Sequence, residues 1–214
     1  MSWRVLDDPE SVAGAVADLI ANAIESGTRT LVLAGGSTPR RAYQLLAERP
    51  LQWGRVTVLF GDERCVPPDD SESNYWMARE LLDRVRPGGV QRIPAELGAE
   101  EGAELYDEVV RRLAPLDLVL LGVGPDGHTA SLFPDHPALE ATSFAVAVHH
   151  APKPPPDRVS LTLRVLREAR STVFIVTGSD KAEAVAKAQQ GAVPAGMVAG
   201  AEYVVDRAAA AMLS

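Results

Sequence analysis

Asp126 and His128 stand two residues apart inside the run Leu118–Pro134, LVLLGVGPDGHTASLFP. A carboxylate and an imidazole at that spacing suit proton transfer. Histidine is the side chain whose ordinary pKa lies closest to neutrality, so it takes a proton at pH 7 without extreme tuning. A lone loop histidine is as often a capping or surface residue as a functional one. The setting favours function here: an apolar stretch that reads as a buried strand stops at a turn holding Gly124, Asp126 and Gly127, and ligands of α/β folds sit at the ends of such strands.

Three further segments share that position. In LAGGSTPRRAY, Gly35 and Gly36 let a backbone approach a ligand, Ser37 or Thr38 suits a helix cap, and Pro39 fits a first turn. The N–H groups of such a helix start form an anion site, although the same residues also make a plain capped turn. Gly61-Asp62-Glu63-Arg64 sets three charges directly after an apolar strand, where they must be paired with one another or used. In Ile175–Ala182, IVTGSDKA, Lys181 is one of only three lysines beside eighteen arginines. Its compact charge suits a phosphate or carboxylate, or else it is an exposed lysine of a first helical turn. Arg158, at the start of a later strand, is a weaker candidate of the same kind.

Several chemistries are excluded by spacing. GVGPDG opens no long helix with an acidic residue about 20 positions on, so it is no dinucleotide fingerprint. No second His or Cys stands at a zinc-ligand spacing from His128, and the side chains of His149 and His150 would point to opposite faces of a strand. No G-x-S-x-G elbow is present, which argues against a serine triad. No metal is expected. Cys65 follows Arg64 with no neighbouring histidine, so it reads as a bystander, and one cysteine fits a reducing cytosol. His136, His149 and His150 read as structural or surface residues.

The elements that must position these residues follow two periodicities. Helices are expected from Asp8-Pro9 to Gly27, with Asp8 as N-cap, from the GGSTP turn to about Glu48, over Asn74–Leu82 with Ser73 or Asn74 capping, over Glu100–Leu113 and over Ser179–Gln189. Strands are expected at 30–34, 56–60, 117–122, 144–149, 158–163, 172–177 and 202–205, followed by a short C-terminal helix. Such alternation implies an α/β fold, a mostly parallel sheet with helices on both faces. The proline run APKPPP at 151–156 reads as a stiff surface loop within one domain spanning 1–214.

Composition narrows the class further. The 214 residues are 46% hydrophobic, enough for a substantial core, and the formal net charge is −8. With a sequence pI of about 5.0, non-specific binding to nucleic acid or anionic membranes is disfavoured, although a basic pocket inside an acidic shell remains compatible. No leader and no span of about 20 apolar residues is evident, so a cytoplasmic protein is expected.

In this order the segments AGGSTP, GDER, SNY, GVGPDGHTASLFP, RVSLT and TGSDKA resemble the 6-phosphogluconolactonase family over nearly the whole chain. The resemblance implies a modified Rossmann-like fold shared with glucosamine-6-phosphate deaminases, and hydrolysis of 6-phosphoglucono-δ-lactone to 6-phosphogluconate without metal or organic cofactor. It implies His128 as general base with Asp126 orienting it or binding a sugar hydroxyl. Gly36, Ser37, Arg158 and Lys181 would hold the 6-phosphate, with Arg64 a further candidate and Asp62 near the sugar; Gly35, Thr38 and Gly127 complete the turns around the substrate. A monomer or weak homodimer would fit. The deaminases resemble the chain at the glycine turn and at D-G-H, but their motif continues to an Asn-Glu pair where this chain has Leu132 and Phe133. A non-catalytic sugar-phosphate-binding module is the remaining alternative; it would carry a fused DNA-binding helix pair or lack the histidine.

Overall fold

The computed structural model describes residues 1–213. In chain order the elements are β1 (Ser2–Leu6), α1 (Pro9–Glu25), β2 (Thr30–Leu33), α2 (Ser37–Ala47), β3 (Thr57–Phe60), β4 (Asp62–Arg64), α3 (Asn74–Val85), β5 (Gly89–Gln91), α4 (Ala99–Leu113), β6 (Leu118–Leu121), β7 (Ala145–Val148), β8 (Arg158–Leu161), α5 (Leu163–Glu168), β9 (Ser171–Val176), α6 (Ala182–Gln189) and β10 (Glu202–Asp206).

Seven strands form one parallel sheet in the order β1-β10-β9-β6-β2-β3-β5, flanked by helices. Every residue of β2 and β6 is buried, which is why these segments read as unbroken apolar runs rather than alternating ones. From β2 the chain builds outward through β3 to β5, and from β6 it builds the other way through β9 to β10. Strand order therefore reverses between β2 and β6, and the crevice beyond the carboxyl ends of strands at such a reversal is where open α/β sheets hold ligands.

A second sheet, β4-β8-β7, is antiparallel. The expected strands at 144–149 and 158–163 are present but belong here rather than to the parallel sheet. No strand is expected over the three charged residues of β4. Its Asp62, Glu63 and Arg64 pair with Ser160, Val159 and Arg158, so backbone pairing overrides an unfavourable composition. α4 packs on β7 and β8, carrying the small sheet against the body of the molecule.

Local rules account for most boundaries. Asp8 caps α1 by accepting from the Ser11 amide at 2.7 Å, and Ser73 caps α3 by accepting from the Trp76 amide at 3.1 Å. β1 and β5 carried no clear signal: β1 exposes much of its length, and β5 is three residues long. Among the described residues the expected C-terminal helix is absent; residues 207–212 form turns, opened by Asp206, whose carboxylate accepts from the amides of Ala209 and Gly178.

Candidate active site

A cleft of about 320 Å³ opens beyond the carboxyl ends of the neighbouring strands β3, β2, β6 and β9, a size suited to a small sugar phosphate. Its walls include Gly35, Gly36, Asp62, Arg64, Asn74, Gly124, His128, Lys153, Pro154, Arg158 and Lys181. Four segments far apart in sequence thus meet at the reversal point of the sheet.

The turn after β6 is built to hold one imidazole. His128 Nδ1 lies 2.5 Å from Asp126 Oδ1. A Cβ at position 124 would fall 2.0 Å from both Nδ1 and Cε1 of His128, so only glycine leaves room for the ring. The Phe133 ring, buried, lies 4.6 Å from the imidazole centroid. Burial pushes the His128 pKa below its ordinary value and outweighs the hydrogen bond and charge of Asp126, which act to raise it. Burial also opposes ionisation of Asp126, but His128 prevails there and leaves that carboxyl lowered. At neutral pH the pair is accordingly a carboxylate accepting from a neutral Nδ1–H, which leaves Nε2 as a proton acceptor.

The opposing wall is cationic. Arg64 and Arg158 are directly opposite in the β4–β8 register, an arrangement of like charges that is destabilising without an anion. Burial lowers the Arg158 pKa, an effect to which the Arg64 charge adds. The Arg158 guanidinium donates from Nε to the Pro155 carbonyl at 3.0 Å and from Nη2 to those of Lys153 and Pro154 at 3.1 and 3.3 Å. The proline segment is the surface loop expected, with Pro152, Lys153, Pro154 and Pro156 exposed, and these bonds tie it to the edge of the cleft, where Lys153 joins the wall. Arg64 donates from Nη1 to the Glu72 carbonyl, while its buried Nε has no protein partner among the described residues. Lys181 completes the set, 3.2 Å from Asp180. Two of the chain's three lysines face one cleft in a protein of net charge −8.

The acidic side chains of GDER form no ion pair with the Arg64 guanidinium among the described residues. Glu63 is buried and accepts from the amides of Arg64, Asn74 and Tyr75 and from Ser73 Oγ, a carboxylate set on the start of α3. Burial still raises its pKa against those four donors. Asp62 accepts from Asn74 Nδ2 at 3.1 Å and Ser131 Oγ at 2.6 Å, one on each carboxylate oxygen. Asn74 Oδ1 in turn rests where a Cβ of residue 35 would lie, so Gly35 is needed for that approach.

Three expected site residues stand differently. Ser37 and Thr38 do not cap α2: Gly36 is the N-cap, with no side-chain cap among the described residues, and the Thr38 hydroxyl is paired with that of Thr177 at 2.6 Å. The reason is that the chain turns at Gly36, with φ at 114°, one residue earlier than a Ser37 cap requires. Gly127 does not line the cleft. It closes the turn, its amide donating to the Gly124 carbonyl and its Cα facing Val193. Asn74, Ser131 and Lys153 escaped the sequence reading. Asn74 looked like a second helix cap, and the scarcity of lysine could have pointed to Lys153. Cys65 is half-buried, and burial with the charges of Asp157, Glu100 and Glu63 pushes its thiol up to about 11, which leaves little thiolate at neutral pH.

The family model described as glucosamine-6-phosphate isomerases/6-phosphogluconolactonase matches residues 7–206. The chain belongs to this family. Among relatives, it is 36% identical over 242 residues to a 6-phosphogluconolactonase of Mycobacterium leprae, covering 99% of this chain and 98% of that one. It is 40% identical over 199 residues to the human 6-phosphogluconolactonase, covering 83% and 77%. The solved 6-phosphogluconolactonase of Trypanosoma brucei superposes with a TM-score of 0.91 at 27% identity, over 100% of this chain and 98% of that one. The α/β architecture of this family member is thus that of the lactonase structures. Among its described residues no helix is long and apolar enough to cross a membrane.

Proposed function

We propose that this family member hydrolyses 6-phosphoglucono-δ-lactone to 6-phosphogluconate, the lactone step of the oxidative pentose phosphate pathway. The observation that carries the reading is the pairing of a neutral, carboxylate-held imidazole with a cluster of four cations, Arg64, Lys153, Arg158 and Lys181, in one cleft of a strongly acidic protein.

In this mechanism His128 Nε2 takes a proton from water as the hydroxide oxygen bonds to the lactone carbonyl carbon. The resulting oxyanion is stabilised by the positive field of the cleft. Collapse re-forms the carbonyl and breaks the bond from carbon to ring oxygen, and the imidazolium returns its proton to that oxygen. Asp126 keeps the imidazole in the Nδ1–H tautomer throughout. The 6-phosphate binds among the cations and the uncapped N–H groups at the start of α2, beside Gly35 and Gly36. Asp62, fixed by Asn74 and Ser131, accepts a sugar hydroxyl. Anchoring the far end of the substrate places the carbonyl near His128, and a general base then supplies roughly 10²- to 10⁴-fold.

An isomerase-type reaction is disfavoured by Phe133: an apolar ring packs against His128 where the isomerase motif has a carboxylate. The enzyme is proposed to work in the cytoplasm as a monomer or weak dimer, folded as one domain and independent of metal. The test is hydrolysis of freshly generated lactone at neutral pH, corrected for spontaneous hydrolysis, with and without EDTA. EDTA-resistant acceleration is expected. Absence of acceleration, together with turnover of glucosamine 6-phosphate, would overturn the reading.

A further inference from the structure

Phe133 touches both working ends of the cleft without reaching into it. Its ring is 2% exposed, lies 4.6 Å from the His128 centroid at an interplanar angle of 41°, and has the Arg158 guanidinium carbon 5.6 Å from its own centroid. The second distance is within the range in which a cation is attracted to a ring face. The backbone fixes this placement. Thr129 and Leu132 exchange amide–carbonyl bonds at 3.3 and 2.9 Å, folding the segment after His128 back on itself, and the Phe133 carbonyl accepts from the His136 amide at 3.2 Å. A ring held by its own main chain is a stiff support for two softer groups.

We infer that Phe133 is a positioning residue, one buried ring that fixes the orientation of the His128 imidazole and of the Arg158 guanidinium together and so couples the base to the phosphate end of the cleft. No other aromatic ring contacts either group among the described residues. The charged groups facing His128 are Asp126 on its own turn, Asp62 from β4 and Lys153 from the proline segment. With both carboxylates and the lysine left in place, trimming the apolar ring opens the imidazole to water without changing any charge. The same ring gives Arg158 an apolar face to rest on while its donors hold the proline segment.

The inference rests on the lactonase reading for its kinetic consequences, but its first readout does not. Phe133→Leu and Phe133→Met keep an apolar side chain and lose the π face. In either variant that retains the wild-type unfolding transition, NMR titration is expected to show the His128 pKa raised by roughly half a unit or more, as water reaches the ring. The acid limb of kcat/KM should move up by the same amount, and KM for the lactone should rise about threefold through the loosened Arg158. Phe133→Tyr, which restores the ring, should return the titration toward wild type. A His128 titration unchanged in both variants would overturn the inference, as would KM and kcat each within a factor of two of wild type, or failure of both variants to fold, which would make Phe133 a core residue and nothing more. If the wild type does not hydrolyse the lactone, the NMR titration still decides the positioning role, so the two failures are separable.

Discussion

His128 and His149 each set Nδ1 against a carboxylate, at 2.5 Å from Asp126 and 2.8 Å from Asp157, yet their pKa values move in opposite directions. His149 gains a second acid on Nε2, Glu100 at 2.6 Å, and lies near the surface with a side chain 38% exposed, against 17% for His128. The hydrogen bond that His149 donates to Asp157 is the leading cause of its raised pKa, with burial opposing only in part. For His128 burial leads and the carboxylate cannot compensate. A carboxylate neighbour therefore does not by itself make a histidine an ion-pair partner or a base. Burial and the number of acidic partners decide together: where water is excluded and one carboxylate bonds the ring the pKa falls, and where water has access and two carboxylates bond it the pKa rises.

The strongest way to break this comparison is substitution of both histidines. His128→Ala is expected to lower kcat roughly 10²- to 10⁴-fold, measured on freshly generated lactone. His149→Ala should leave kcat within a factor of two; comparable losses would remove the distinction drawn between them. Asp126→Asn keeps the shape of the pair but reverses its hydrogen-bond preference, so kcat should fall by at least about tenfold with KM little changed.

On the cationic side, Arg158→Ala and Lys181→Ala should raise KM about tenfold each and affect kcat far less, as expected for charge-assisted bonds to a group remote from the reacting carbon. A loss confined to kcat would mean that these cations act on the oxyanion rather than on phosphate.

Two pH experiments sharpen the contrast at smaller amplitude. As the proposed base His128 must be neutral, and its pKa is lowered, so the acid limb of kcat/KM should lie below the ordinary histidine value of about 6.5. A midpoint above that value would contradict burial as the dominant cause. His149 has a raised folded-state pKa. Its bridge therefore stabilises the protein fully below the unfolded value and is lost as pH rises through the folded one. The His149→Ala variant should be less stable than wild type at pH 5.5 and indistinguishable at pH 9. Solvent screening holds the difference to about 0.2–1 kcal/mol in chemical denaturation.

Much of the frame was legible because it depends on local pattern. Unbroken apolar runs marked β2, β3, β6 and β9, Asp8 and the pair Ser73-Asn74 announced their helices, and the glycine turns identified the strand exits where the cleft opens. The harder elements were those in which distant backbone supplies the partner. β4 is three charged residues that become a strand only because β8 lies beside them, and no window of sequence contains both.

By itself the sequence determined the α/β class, the four strand-exit segments and the candidacy of Asp126 and His128, since these rest on periodicity and on residue types within a few positions of one another. Only the tertiary structure decided which charges act together. It took Glu63 away from Arg64 and set it on a helix start, gave both oxygens of Asp62 to Asn74 and Ser131, and tied the proline segment to Arg158 so that Lys153 joined the site. It also separated His128 from His149. Burial is a property of the packed molecule, and the free energy of a charge depends on how much water its surroundings admit, which no spacing along the chain records.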